Sequence, residues 1–284
     1  MRLFNHEINL RRNNKETLLK DKIIELAIDA GLDHSHVQAI IRHVVSEFSK
    51  NGLGSDYYGY HGLNHELEVT YFSLMASKYY LKRNEFSQKD VNALFLAALL
   101  HDYDPLKRFD KPEKEDVESF IRNDKKLAML VEPFEIDLDI VIALIYRTVN
   151  PFKENIADNA LKTMNGLFTQ AGITDNDGSI RAHYYELGWF LSICNRIAGY
   201  SLGNIEYSKE LARLNAHAMG WHPSIINEKF VNYLTVLKEE KACSSQYFKQ
   251  YLKTSGRISM ITLLVLDWHG IMKYKYELCC ARRK

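Results

Sequence analysis

A histidine and an aspartate stand next to each other, as His101-Asp102, at the end of an unbroken apolar run over residues 93–100. The run predicts a buried helix, so both side chains would enter the protein interior together. Burying an ionisable pair costs free energy unless a partner or a bound ion compensates for it. We therefore expect this pair to bind something.

Two further histidines, His61 and His65, are four positions apart near the start of another predicted helix. Residues at this spacing project from the same face of a helix. His65 precedes His101 by 36 residues, enough for a long helix, a turn and a second helix that returns antiparallel. His65, His101 and Asp102 can then converge on one cation. Nitrogen and carboxylate donors together suit Zn²⁺, Mn²⁺, Fe²⁺, Co²⁺ or Ni²⁺, whereas an all-oxygen site would favour Mg²⁺ or Ca²⁺.

The elements that must position these residues are predicted to be helices. The 284 residues include only 5 prolines and 14 glycines, and apolar residues recur every three to four positions almost throughout, which predicts an all-α fold. The predicted helices cover residues 15–30, 34–50, 63–83, 88–102, 113–122, 136–149, 152–171, 180–200, 207–219, 223–240, 244–254 and 257–278. Ser87 suits an N-cap and Pro223 a first helical turn. We expect residues 1–50 to form an N-terminal helical hairpin packed on a main domain, residues 51–284.

Charge and composition exclude several classes of function. Lys and Arg number 37 against 36 Asp and Glu, which gives no support to a general nucleic-acid or membrane-surface binder. The longest apolar stretch, residues 258–268, is too short to span a bilayer. The 4 cysteines form neither a disulfide framework nor a Cys-x-x-Cys pair. We expect a cytoplasmic protein with a small-molecule ligand, and the oligomeric state stays open.

A family resemblance rests on the stretch YHGLNH at residues 60–65 and the stretch LLHDYDP at residues 99–105. Both resemble the HD-domain superfamily of metal-dependent phosphohydrolases, and more narrowly its cyclic-nucleotide phosphodiesterase branch. The resemblance covers roughly residues 58–200. It implies an HD-domain-like helical bundle in which His65, His101 and Asp102 hold the metal. His61 and Asp102 would be the catalytic residues, with His61 donating a proton to the leaving oxygen.

The family's last metal ligand is an aspartate on a later helix, and the segment at residues 191–200 resembles that helix. Asn195 stands at the corresponding position and would be the fourth metal ligand. An amide oxygen can coordinate but adds no negative charge, so metal affinity should fall. Asp175 or Asp177 could substitute for it. A second cation, Mg²⁺, is a further option for the cofactor.

Cationic side chains must neutralise the phosphate charge that grows during hydrolysis. Lys107, Arg108 and Arg147 are the candidates for substrate binding. A bound metal would lower the pKa of a coordinated water and polarise a phosphoryl oxygen. Of the two glutamates beside His65, Glu66 is expected to face solvent and Glu68 to orient a ligand histidine.

The sequence therefore predicts a metal-dependent hydrolase of a phosphate ester, with a nucleotide or cyclic nucleotide as the expected substrate. One rival is another branch of the same chemistry, a nucleoside monophosphate phosphatase or an alarmone hydrolase. A second rival is a degenerate HD scaffold that binds a nucleotide or a partner protein without turnover, which Asn195 favours. Neither nucleic acid nor membrane is an expected partner.

Overall fold

The computed structural model describes residues 16–50, 60–106, 110–174, 176–201, 211–216, 220–226, 228–229 and 232. The chain divides into two compact units, Met1–Leu202 and Gly203–Lys284. The predicted division at residue 50 stays a prediction.

The described part of the first unit consists of helices joined by short connections, and it contains no strand. The all-α prediction is therefore confirmed for these residues. The helices are α1 (Glu16–Asp29), α2 (His34–Lys50), α3 (Leu63–Leu81), α4 (Gln88–Leu100), α5 (Lys114–Asn123), α6 (Lys125–Val131), α7 (Leu138–Tyr146), α8 (Glu154–Gln170) and α9 (Gly178–Ser201), with a 3₁₀ turn at Glu132–Phe134.

The apolar run before His101 forms the centre of this unit. Helix α4 packs against α3, α7 and α9, and its residues from Ala93 to Leu100 are fully buried. A helix that is apolar on all sides is stable only where other helices surround it. Because α4 cannot shift without exposing this apolar surface, its two ends are fixed in place.

The remaining helices form the surroundings of α4. Helix α3 packs against α1 and α9 as well as α4, and α7 packs against α8 and α9. Helices α1 and α2 contact each other, and α2 contacts α6. This arrangement brings the start of α3, the end of α4 and the C-terminal half of α9 to one place.

Helix α4 begins at the predicted N-cap. Asp90 N–H donates to Ser87 Oγ over 3.2 Å, and Ser87 N–H donates to Asp90 Oδ2 over 2.7 Å, which together form a capping box. Asp90 Oδ1 also lies 2.7 Å from Nε2 of His183 on α9. The start of α4 is thus linked to α9 by the contact between Asp90 and His183.

Two helix predictions need correction. The pattern missed α6, because Lys125–Val131 is only 7 residues long and too short to show a clear period. Asp124 starts this helix by accepting the N–H groups of Lys126 and Leu127. Helix α4 ends at Leu100 rather than at residue 102, so His101 is its C-cap residue.

In the second unit the described residues are few. Residues 211–216 are helical, and Pro223 opens a 3₁₀ turn, Pro223–Ile225, at the predicted helix start. The predicted helices 244–254 and 257–278 and most of 223–240 lie outside the described residues. None of the helices that the structure describes is long and apolar enough to cross a bilayer.

Candidate metal centre

The first histidine of the cluster comes from the start of α3. His65 is in the first helical turn, where its N–H donates to the N-cap residue Gly62 over 2.9 Å. His61 precedes the helix, so the expectation that both histidines lie on one face of it is wrong. The two rings are nonetheless close, with centroids 5.5 Å apart. The turn at Gly62, rather than helical periodicity, brings them together.

The second histidine and the aspartate come from the end of α4. His101 is completely buried and Asp102 is 2% exposed. Because the helix ends at Leu100, the chain turns at His101, and both side chains of the pair reach the start of α3. His101 Nε2 lies 3.2 Å from His65 Nε2 and 3.3 Å from Asp102 Oδ2, and His65 Nε2 lies 3.8 Å from the same oxygen. The predicted convergence of His65, His101 and Asp102 is present.

Asn195 joins this group from α9. Its Oδ1 atom lies 3.0 Å from His65 Nε2. All four residues predicted as metal ligands are therefore brought together at the meeting of α3, α4 and α9, and we call them the His-Asp cluster. Asp177 is not part of it, because its carboxylate accepts the N–H and hydroxyl of Thr174 in the turn before α9. Asp175 lies outside the described residues.

The distances within the His-Asp cluster match those between ligands of one cation. Four ligands arranged tetrahedrally at metal distances of about 2.0–2.1 Å are separated by about 3.4 Å from one another. His65, His101 and Asp102 each place a ligand atom within 4.8 Å of the others. The buried His65 Nδ1 has no hydrogen-bond partner among the described residues, so the polar contacts of His65 are concentrated at Nε2. This donor set fits a transition-metal ion.

Glu66 orients His101. Oε2 of Glu66 is in short contact with His101 Nδ1, which also lies 2.9 Å from the carbonyl of Ala98. Asp102 N–H donates to Oε1 of Glu66 over 2.9 Å. A proton held on Nδ1 leaves the lone pair of His101 on Nε2, the atom that faces the cluster. The expectation that Glu66 faces solvent is therefore wrong: it is fully buried, because the end of α4 covers this turn of α3.

The buried charges of the cluster set the protonation states of its members. Burial opposes protonation of His101, but Glu66 and Asp102 together raise its pKa to about 10. Burial and the charge of His101 hold the pKa of His65 well below its ordinary value, so this imidazole is neutral. Burial also opposes ionisation of Asp102, yet Lys114 and His101 keep its pKa well below the usual range. His65 and Asp102 are therefore in the forms that bind metals, whereas His101 has to release its Nε2 proton when a metal binds.

Lys114 completes the surroundings of Asp102 and was not predicted from the sequence. It is the first residue of α5, is only 4% exposed, and its ammonium donates to Asp102 Oδ1 over 2.7 Å. The same ammonium donates to the carbonyl of His101 over 2.8 Å. The two oxygens of Asp102 thus have different surroundings, with Oδ1 held by Lys114 and Oδ2 facing the histidines.

A second carboxylate lies beside His61. Asp110 Oδ2 is 3.5 Å from His61 Nδ1, and Asp110 Oδ1 accepts the His61 N–H over 3.4 Å. Burial lowers the pKa of His61, and the negative charge of Asp110 acts in the opposite direction. Tyr60 packs its ring against both His61 and His65, at centroid distances of 4.8 Å and 4.5 Å. The sequence pattern had not singled out Asp110.

The structure describes one of the three predicted substrate-binding cations. Lys107 and Arg108 lie outside the described residues. Arg147 follows α7 and stacks its guanidinium on Phe152, 3.7 Å from the ring centroid. In the same region, the Lys111 ammonium donates to the carbonyl of Asn150 over 3.1 Å. The substrate role of all three predicted cations stays a prediction.

Comparisons with known proteins found no relative of this chain. A scan against protein-family models, a search of curated proteins and a search of solved structures each returned no match to this chain. The functional interpretation therefore depends on the geometry of the site.

Proposed function

We propose that this protein is a metal-dependent phosphohydrolase of the HD type, acting on a phosphate ester of a nucleotide or cyclic nucleotide. The observation that carries the proposal is the convergence of His65 Nε2, His101 Nε2, Asp102 Oδ2 and Asn195 Oδ1 from the start of α3, the end of α4 and α9. Two imidazole nitrogens, a carboxylate oxygen and an amide oxygen at these distances form a donor set that suits one divalent cation.

The cation would be Zn²⁺, Mn²⁺, Fe²⁺, Co²⁺ or Ni²⁺, because two of the donors are imidazoles. When bound, it lowers the pKa of a coordinated water and polarises a phosphoryl oxygen. Glu66 keeps His101 in the tautomer that ligates through Nε2, and Lys114 keeps Oδ2 of Asp102 directed at the histidines.

His61 supplies the proton for the leaving oxygen. Its Nδ1 faces Asp110, so Nε2 is the atom that donates. Asp110 stabilises the protonated imidazole and opposes the effect of burial on its pKa. An imidazole whose ordinary pKa is near 6.5 suits proton transfer at neutral pH. Lys107, Arg108 and Arg147 bind the phosphate in this proposal, and the protein works in the cytoplasm.

The test is hydrolysis by the purified, Mn²⁺-loaded protein of a panel of cyclic nucleotides, linear nucleotides and alarmones. We expect turnover of at least one substrate, and its loss in His101→Ala. The products separate the phosphodiesterase branch from a monophosphatase or an alarmone hydrolase. Turnover that persists in His101→Ala would contradict the proposal.

A second candidate function is a scaffold that binds a nucleotide or partner protein without turnover. Asn195 favours it, because an amide at this position lacks the negative charge that a carboxylate would add to the cation site. The variant Asn195→Asp separates the two functions. A catalyst has metal-dependent activity before the substitution. Activity that appears only in Asn195→Asp would show that the present chain is not an enzyme.

A further inference from the structure

The buried ammonium of Lys114 lies at a position with the properties of a cation site. Its two acceptors, Asp102 Oδ1 and the carbonyl of His101, are oxygens of the kind that Mg²⁺ and Mn²⁺ prefer. The carbonyl belongs to the C-cap residue of α4, where the helix dipole adds negative potential. The structure thus has two adjacent positions for positive charge, one on each oxygen of Asp102.

The location of Lys114 within its own helix does not explain this contact. It is the first residue of α5, where the helix dipole disfavours a cation. A lysine that is 4% exposed also gives up most of its hydration. Its stabilisation therefore comes from the end of α4 and from Asp102. Lys111, three residues before Lys114, donates instead to the carbonyl of Asn150.

We propose that the ammonium of Lys114 occupies the position that a second metal ion would take, so that the His-Asp cluster binds one cation per chain. This inference rests on the proposed metal site. A second divalent ion bridged by Asp102 would need Oδ1, which Lys114 holds at 2.7 Å. Binding there would displace the ammonium and leave a buried charge without its partner. The inference therefore argues against the optional second Mg²⁺.

The test counts Mn²⁺ ions on the full chain. Metal-free protein is titrated with Mn²⁺, and bound metal is measured by equilibrium dialysis with elemental analysis and by electron paramagnetic resonance. We expect one ion per chain and the six-line spectrum of an isolated Mn²⁺. Two ions with an exchange-coupled spectrum would overturn the inference and leave the proposed function intact. No bound ion would overturn both.

Two variants test the role of the charge itself. Lys114→Met removes the ammonium but keeps most of the side-chain volume, so a second, weaker Mn²⁺ should bind to Asp102 Oδ1 and the His101 carbonyl. Lys114→Arg keeps the charge and should stay at one ion. A folded Lys114→Met protein that binds only one ion at millimolar Mn²⁺ would contradict the inference. If Lys114→Met does not fold, the wild-type and Lys114→Arg counts decide.

Discussion

At each end of α4 a histidine lies beside an aspartate and the helix contacts α9. The two ends differ in the hydrogen-bond partners of these polar side chains. At the start, Asp90 accepts from Ser87 through Oδ2 and lies within hydrogen-bond distance of His183 through Oδ1. At the end, His65 and His101 approach each other through Nε2 atoms next to Asp102.

Burial separates the two ends further. The side chain of His183 is 44% exposed, so water can solvate it, whereas His101 and Asp102 are at most 3% exposed. A His-Asp contact at a helix start is a structural link, because each donor meets an acceptor. At the helix end, two histidine nitrogens and a carboxylate oxygen meet in a buried space, and we propose that a cation binds there. The same pair of residue types therefore has different roles at the two ends, and burial and hydrogen-bond partners distinguish the helix cap from the candidate metal site.

Removal of a histidine at each end should give the largest difference. His101→Ala deletes a proposed ligand, and we expect Mn²⁺ affinity to fall by more than about 100-fold, beyond the typical cost of losing a residue that only orients a ligand. His183→Ala is the matched control and should leave Mn²⁺ affinity unchanged. Isothermal titration calorimetry measures both. Equal losses in the two variants would remove the distinction between the ends.

Glu66 tests whether the orienting contact matters. Glu66→Gln keeps the size of the side chain but removes the charge that faces His101 Nδ1, and we expect Mn²⁺ affinity to fall by about 10- to 100-fold. Glu68→Gln is the control, because Glu68 is another buried glutamate of α3. A larger loss in Glu68→Gln than in Glu66→Gln would favour the expectation from sequence over the contact in the structure.

The start of α4 should respond in stability instead of metal binding. Asp90→Ala removes the capping box and the His183 contact, and we expect the free energy of unfolding to fall by about 1–2 kcal/mol. Urea denaturation measures the change, and Mn²⁺ affinity serves as the internal reference. Asp29→Ala removes an exposed carboxylate paired with Lys78, and we expect it to lower the free energy of unfolding by less than Asp90→Ala does. A loss of metal affinity in Asp90→Ala without loss of stability would reverse the assignment of the two ends.

The smallest expected effect is the pH dependence of the Asp90–His183 contact. The hydrogen bond to Asp90 raises the pKa of His183, so its contribution is fully present below the unfolded-state pKa, near 6.5, and is lost as pH rises through the folded-state value. Burial opposes ionisation of Asp90, yet the hydrogen bonds from His183 and Ser87 lower its pKa overall, so the contribution of Asp90 is lost only in acid.

The stability difference between wild type and His183→Ala should therefore be larger at pH 5.5 than at pH 9. Urea denaturation at the two pH values measures it. A difference that grows with pH would mean that the protonated form of His183 does not stabilise the fold.

The sequence predicts much of this molecule because its strongest signals are local. The apolar run of α4, its cap at Ser87 and the 36-residue separation of His65 and His101 are sufficient to expect two adjacent helices that share a site. The resemblance to the HD-domain superfamily, rather than spacing, implied Asn195 as the fourth ligand, and the structure brings it to His65.

The residues that support the site could not be found in this way, because their roles depend on packing between distant segments. Glu66 has the charge of a surface residue at a helix start, and only the end of α4 makes it buried. Lys114 would ordinarily face solvent, and its burial depends on where α5 begins relative to Asp102. Asp110 follows no periodic pattern and reaches His61 from a loop.

The most direct test of a cation at the end of α4 is anomalous X-ray scattering from crystals of the protein grown with Mn²⁺ or Zn²⁺. The account predicts a peak within about 2.0–2.3 Å of Nε2 of both His65 and His101, with Asp102 Oδ2 as a further ligand. A data set that shows no peak there, or shows the metal at Asp90 and His183 instead, would contradict it.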